Sequence, residues 1–172
     1  MKALGSYYRI SLSKGSEVIT ISDEIDVVRN YMAIQQVRYG DIFTLYFDID
    51  DKATRYKILK LVLQPLVENA LYHGIKPKGE KGTITLSLKF LEGIIELSVA
   101  DDGVGMDQEE ISQILDTRYQ GDSKTSFGLR GTIERLRLFY GINDPISIES
   151  AKNEGTKVII RVPIEREVEN AG

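Results

Sequence analysis

The sequence predicts an α+β fold, a two-layer sandwich in which a mixed, mostly antiparallel sheet is covered on one face by helices. Three observations carry this prediction. Two pairs of alternating runs, TITLSLKFL with GIIELSVA and PISIESA with TKVIIRVPI, are each joined by a short polar turn, the mark of antiparallel hairpins. Segments of helical period stand before and between these pairs. The chain has 172 residues, 42% of them hydrophobic. That is the length of one domain able to bury roughly two thirds of its unfolded surface.

Taken in order, KALGSYYRISL reads as the end of a helix, and GSEVITI as a linker running into a brief strand. Ser22 or Asp23 is expected to cap the next helix. Its inward positions are Ile25, Val28, Tyr31, Met32, Gln35 and Tyr39, and it stops at Gly40. In DIFTLYFDID, Ile42, Leu45 and Phe47 alternate with Thr44, Tyr46 and Asp48, which predicts a strand. The apolar stretch from Ile58 through Leu71 predicts a helix buried through Leu61, Leu66, Val67, Ala70 and Leu71, ending near Gly74. Pro65 should break or kink it, because proline removes a helical N–H and its ring meets the preceding turn. IKPKGEKG reads as a polar loop, and Glu92-Gly93 as the turn of the first hairpin.

A short helix is expected over 107–115, a mobile loop over 116–127, and a helix over about 129–140 with Ile133, Leu136 and Tyr140 on one side. KNEG links the last two strands, and EREVENAG reads as a frayed tail. The expected boundaries are a leading segment over 1–16, one domain over 17–165 and a tail over 166–172.

Composition narrows the function classes. There is no cysteine, which excludes disulfides and thiolate metal sites and fits a reducing compartment. The formal net charge is -4, with no long basic run, so no duplex nucleic-acid footprint is expected. No apolar stretch approaches the roughly 20 residues that span a bilayer, and no signal-peptide core opens the chain. The chain reads as a soluble piece, with a membrane-bound parent left open.

Four features can carry chemistry. Glu68, Asn69 and His73 are polar groups in an apolar helix, where burial is unfavourable without partners. Asn69 and His73, four apart, share a face; an amide oxygen can ligate Mg²⁺ and an imidazole can donate to a phosphate. The bland alternative is a pair of satisfied core polar groups. DDGVG at 101–105 follows a strand, and Gly103 and Gly105 permit positive φ and close backbone approach. There Asp101 can accept from the amino group of a flat heterocycle, or simply sit in an Asp-Gly turn. SKTSFGLRGTIERL runs through Gly128 and Leu129 into a helix start, where free N–H groups suit anions, with Arg130 adding charge. NEGTKV, with Thr156, is by default a hairpin turn.

As an ordered set these segments resemble the nucleotide boxes of the gyrase–chaperone–histidine kinase–mismatch repair ATPases, and most of all the LytS/YesM type of sensor histidine kinase. LQPLVENALYHGI is similar to that type's Asn box, VADDGVGM to its Asp-x-Gly-x-Gly box, and FGLRGTIERLRLFYG to its Gly-Leu-Arg helix. ISDEIDVVRNYMAIQQVRYGD is similar to the helix just before its nucleotide domain. The likeness runs from about Tyr8 to Pro163.

The resemblance implies the Bergerat ATP-binding fold, with ATP and Mg²⁺ as cofactors. Asn69 would be the metal ligand and Asp101 would accept from adenine. Gly103 and Gly105 would let the chain pass the purine, and Thr156 would support the adenine end through water. His73, Gly128, Leu129 and Arg130 would lie at the phosphates, 116–127 would form a lid, and Glu68 would be a candidate catalytic group. It further implies a two-component phosphorelay. The γ-phosphoryl would pass to a histidine on an upstream hairpin of the same protein or its dimer partner, and then to a response regulator. The parent would be a bacterial membrane-bound homodimer with this part in the cytoplasm.

Three departures from the family pattern are Tyr72 where a Lys is usual, Ser126 two residues before Gly128 where a Gly is usual, and Gly131 where an Asn is usual. The first two motivate the alternative of a degenerate, non-catalytic nucleotide-binding module. A gyrase- or chaperone-type ATPase would need a Glu four residues before Asn69, where Pro65 stands.

Overall fold

A computed structural model describes residues 16–116, 118 and 127–164. Strand β1 (Val18–Thr20) leads directly into helix α1 (Ile21–Tyr39). The helix starts earlier than the sequence reading placed it. Thr20 is the N-cap, its hydroxyl accepting from the Asp23 N–H at 3.1 Å, because Ile21 already belongs to the core with no exposed surface. Ile25, Val28, Met32 and Gln35 face inward as their spacing predicts, and the helix ends at Gly40.

Strand β2 (Phe43–Ile49) follows, then a single 3₁₀ turn (Asp51–Ala53) and the short strand β3 (Lys57–Leu59), antiparallel to β1. Here the structure corrects the sequence reading. Ile58 and Leu59 are strand, and helix α2 (Leu63–Asn69) begins only at Leu63. Pro65 therefore lies in the first turn, where its missing N–H has no intrahelical partner to lose, and no break occurs there. The irregularity comes later. Ala70–Ile75 is a π-helical turn that runs on into α3 (Lys76–Lys78), so the chain stays helical through Gly74 and the loop shrinks to residues 79–81.

The main sheet has five strands in the order β2-β4-β5-β7-β6. Strands β4 (Gly82–Leu91) and β5 (Ile94–Asp101) form the expected hairpin about Glu92-Gly93. Strands β6 (Ile146–Ser150) and β7 (Thr156–Pro163) form the other, with β7 against β5. Only the β2–β4 pairing is parallel among the described strands, since the crossover through β3, α2 and α3 lies between them. Between the hairpins stand α4 (Gln108–Leu115) and α5 (Phe127–Tyr140). Asp107 and Glu110 close a capping box at the start of α4, each side chain accepting from the other's N–H at 2.9 Å.

One core joins the layers. Ile84, Leu86, Leu97, Val99 and Ile160 point from the sheet toward Val28, Leu66, Leu71 and Ile133 of the helices. The expected tail, all but residue 16 of the leading segment, and residues 117 and 119–126 of the expected mobile loop, Ser126 included, lie outside the described residues.

α1 also braces the start of α2. Val62, the N-cap of α2, offers no side chain to the free N–H groups. Glu24, with 0% exposure, supplies it from α1. Its carboxylate accepts from Leu61 at 2.8 Å, Val62 at 2.7 Å and Leu63 at 2.8 Å. From the other side Arg135 of α5 donates to the carbonyls of Leu61 and Lys60, at 3.1 and 2.6 Å. This clamp holds the turn in which Leu61 takes a φ of 57°, a conformation unfavourable for a branched side chain. Burial pushes the Glu24 carboxyl up from its ordinary value, and the three N–H groups and Arg135 pull it back.

Candidate functional site

One cleft opens between the α2–π-turn segment and the start of α5, and another at the end of the sheet, between β5 and the β6–β7 hairpin. The first, about 130 Å³, is lined by Pro65, Glu68, Asn69, Tyr72 and His73 of the α2–π-turn segment and by Gly128 and Leu129 at the start of α5. The shared face of Asn69 and His73 is thus realised, and the first turn of α5 faces it. Asn69 is 6% exposed, and its Oδ1 is buried with no hydrogen-bond partner among the described residues. A bare amide oxygen in such a place is unfavourable unless a ligand completes it, and it is a hard donor of the kind Mg²⁺ takes. His73 is half-buried, and burial lowers its basicity, so at neutral pH the imidazole is uncharged and still has one N–H to donate.

The second cleft is lined by Asp101, Ser150, Gly155 and Thr156 among others. Asp101 ends β5 directly opposite Thr156 of β7. It is 9% exposed, and its Oδ1 accepts from the Gly103 N–H at 2.9 Å. Burial is the largest influence on its carboxyl and raises it to about 6. The backbone N–H groups of Gly103 and Thr156 and the Lys78 ammonium act the other way, and Asp102 acts with burial. Thr156 is buried, its hydroxyl 2.9 Å from that of Ser150, which in turn donates to the Gly155 carbonyl.

Backbone contact joins the clefts. Gly74, in the π-turn one residue after His73, packs on the Asp101 side chain, and a Cβ there would stand 2.4 Å from Oδ1. A Cβ on Gly103 would stand 2.3 Å from the Gly74 carbonyl carbon, and the Val104 N–H donates to the Gly74 oxygen at 3.2 Å. The π-turn and the end of β5 therefore meet main chain to main chain. Gly105, with a φ of +65°, has the Ala151 carbonyl oxygen 1.9 Å from where its Cβ would be. Both glycines of the DDGVG segment thus make the close approach their residue type permits, and they make it to the protein's own backbone. Gly103→Ala is expected to destabilise the fold by about 1–3 kcal/mol through overpacking, read as a lowered denaturant midpoint in urea unfolding.

Gly128 has room for a Cβ, 3.8 Å from Pro65, so no close approach forces glycine there. Arg130 does not line either cleft. Its guanidinium donates at 2.7 Å to the Gln113 carbonyl in the last turn of α4, tying α5 to α4. Sequence reasoning passed over Gly74 and Ser150. Gly74 was legible, since it directly follows a polar pair on an apolar helix. Ser150 carried no signal, because its partners lie in a turn it does not belong to.

Residues 54–166 match the family described as "Histidine kinase-, DNA gyrase B-, and HSP90-like ATPase", and residues 1–43 match "Histidine kinase". The chain belongs to this ATPase family, as a catalytic domain of the histidine kinase type. It is 33% identical over 168 residues to the sensor histidine kinase YesM of Bacillus subtilis, covering 98% of this chain and 28% of YesM. It is also 33% identical over 164 residues to the sensor histidine kinase YpdA of Escherichia coli, covering 95% of this chain and again 28% of the relative. The chain thus spans little more than a quarter of the curated relatives it matches.

Among solved structures, the catalytic domain of histidine kinase ThkA superposes with a TM-score of 0.65 at 18% identity, covering 86% of this chain and 98% of that one. The Acinetobacter baumannii histidine kinase AdeS does so with a TM-score of 0.63 at 13% identity, covering 96% and 77%. These likenesses establish the Bergerat fold.

Proposed function

We propose that this chain binds ATP with Mg²⁺ and presents the γ-phosphoryl group to a histidine carried outside the residues described here. The observation that carries the reading is the Asn69 Oδ1, buried and unpartnered on the wall of a cleft shared with His73 and the start of α5. Asn69 would hold the metal, which when bound neutralises phosphate charge. His73 donates its N–H to a phosphate oxygen, and Gly128 and Leu129 place the first turn of α5 against the same group. In the second cleft Asp101 accepts from the adenine amino group, with Thr156 and Ser150 beneath it. The Gly74–Gly103 contact fixes the distance between the two ends of the nucleotide.

Transfer follows the chemistry of a positioned displacement. One nitrogen of a neutral imidazole forms a bond to the γ-phosphorus as the bond to the bridging oxygen breaks; the electron pair leaves on ADP, and the proton of the other ring nitrogen passes to an acceptor base. Catalysis is then chiefly positioning and charge stabilisation. The relatives being sensor kinases, the reading extends to a membrane-bound homodimer and a response regulator that takes the phosphoryl group. Among the described residues no helix is long and apolar enough to cross a membrane. No observation favours the non-catalytic alternative.

Calorimetric titration of the chain with ATP tests the reading. Binding should strengthen at least tenfold when Mg²⁺ is added, and Asn69→Ala should abolish that gain. A chain that binds no ATP under either condition defeats the proposal.

A further inference from the structure

Asp101, Thr156 and Ser150 stand on one rung of the sheet, side by side at the ends of β5, β7 and β6. The Ser150 hydroxyl ties separate pieces of chain together there. It accepts from the Met106 N–H at 2.8 Å, just past the DDGVG segment. It donates to the Gly155 carbonyl at 2.7 Å, in the turn between β6 and β7. Its oxygen lies 2.9 Å from the Thr156 hydroxyl oxygen. A backbone N–H only donates and a carbonyl only accepts, so the first two directions are forced. A serine hydroxyl has one hydrogen and two lone pairs. The hydrogen goes to Gly155 and one lone pair to Met106, which leaves the second lone pair for Thr156. The Thr156 hydroxyl is therefore the donor in the third bond. With its hydrogen turned to Ser150, it has only lone pairs for the cleft that it lines with Asp101.

We infer that Ser150 is a specificity-determining positioning residue: by holding the Thr156 hydroxyl as an acceptor, it makes the base end of the nucleotide site select a 6-aminopurine over a 6-oxopurine. This rests on the function proposed above. The ionised Asp101 carboxylate also only accepts. Two neighbouring acceptors suit an amino group, or a water that points its hydrogens at them. A carbonyl in the same place is one more acceptor with no hydrogen to share, and a site rejects a ligand whose polar groups it leaves unpaired. A threonine hydroxyl free to rotate would weaken that rejection, because it could donate to the carbonyl. The surrounding backbone holds Ser150's partners still. A Cβ on Gly155 would stand 2.0 Å from the Asp101 carbonyl oxygen, and the Asn153 N–H donates to the Val104 oxygen at 2.7 Å. The turn that offers the Gly155 carbonyl is thus packed on the segment that leads to Met106.

The test is calorimetric titration with ADP and with IDP at pH 8, where Asp101 is ionised. IDP carries a carbonyl in place of the amino group and a hydrogen on the adjacent ring nitrogen. Wild type should prefer ADP, and in Ser150→Ala that preference should narrow about tenfold. In a Thr156→Val background the same change should leave the ratio where it was, since no hydroxyl remains to be turned. A ratio that holds in Ser150→Ala overturns the inference, including the case where both nucleotides weaken alike, which marks a packing role. A ratio that still narrows in the Thr156→Val background overturns it too. Wild-type chain that binds ADP and IDP alike overturns the inference and leaves nucleotide binding standing; wild-type chain that binds neither overturns both. Should Ser150→Ala fail to fold, Ser150→Cys, which keeps the volume with a weaker hydrogen-bonding atom, decides alone: an unmoved ratio overturns the inference.

Discussion

Glu24→Ala should lower the unfolding free energy by about 3–5 kcal/mol, the range for removing one partner from a buried charged cluster. The effect is large because of what remains. The N–H groups of Leu61, Val62 and Leu63 lose their acceptor at once, in a place where two of the three bonds are fully buried. Each orphaned buried donor is unfavourable by about 1–3 kcal/mol. Arg135, still bound to the carbonyls of the same turn, keeps its positive charge and loses its opposite. Glu24→Gln retains one carbonyl oxygen but turns an amide N–H toward a backbone N–H, so an intermediate loss is expected. Urea unfolding followed by circular dichroism distinguishes them. A Glu24→Ala midpoint within experimental error of wild type would show that water takes over the carboxylate's role.

Asp101→Asn should weaken adenine-nucleotide binding about 100-fold while leaving the protein folded. The amide carbonyl can still accept from Gly103, but a donor replaces the second oxygen and meets the amino group it should accept from. A hydrogen bond to a charged acceptor is typically favourable by about 1.5–3 kcal/mol, and an opposed donor adds to the loss. Calorimetry with ADP measures it directly; affinity retained within about threefold would remove Asp101 from the site.

The same carboxyl makes binding depend on pH. Burial raises it to about 6 from an ordinary 3.8. Its ionised form is the acceptor, so wild-type affinity should fall as pH drops through about 6, and the Asn variant should show no such step. Stability runs in the opposite sense. A carboxyl raised by folding favours the protonated fold, so its contribution is complete below 3.8 and is lost as pH rises through about 6. At neutral pH the folded protein therefore holds a partly desolvated charge, which the amino group of the proposed adenine would relieve.

Much of this was legible in the sequence. Period alone placed α1, both hairpins and α4, since each buries one face of a regular element. The spacing of Asn69 and His73 and the strand-end position of Asp101 survive unchanged in the structure. The failures share a cause, which is partnership across long separations. Ile58 and Leu59 read as helix because an apolar run has no period to betray a three-residue strand, and their pairing with Val18 and Ile19 lies about 40 residues back. Pro65 was judged as an interior proline because the true start of α2 depends on a cap from Glu24. Arg130 bonds the Gln113 carbonyl on another helix, a partner that its own segment does not reveal. The π-turn has no sequence mark beyond Gly74, whose reason is the carboxylate it touches.

The Glu24 clamp and the bond from the Tyr72 hydroxyl to Gln35 together have a mechanical consequence. Glu24 and Gln35 are eleven residues apart on α1, roughly 16 Å along its axis, and they grip the beginning of α2 and the π-turn that continues it. Two attachments so far apart oppose both sliding and rolling of α1 against α2. Asn69 lies in the stretch of chain between them, braced from both ends.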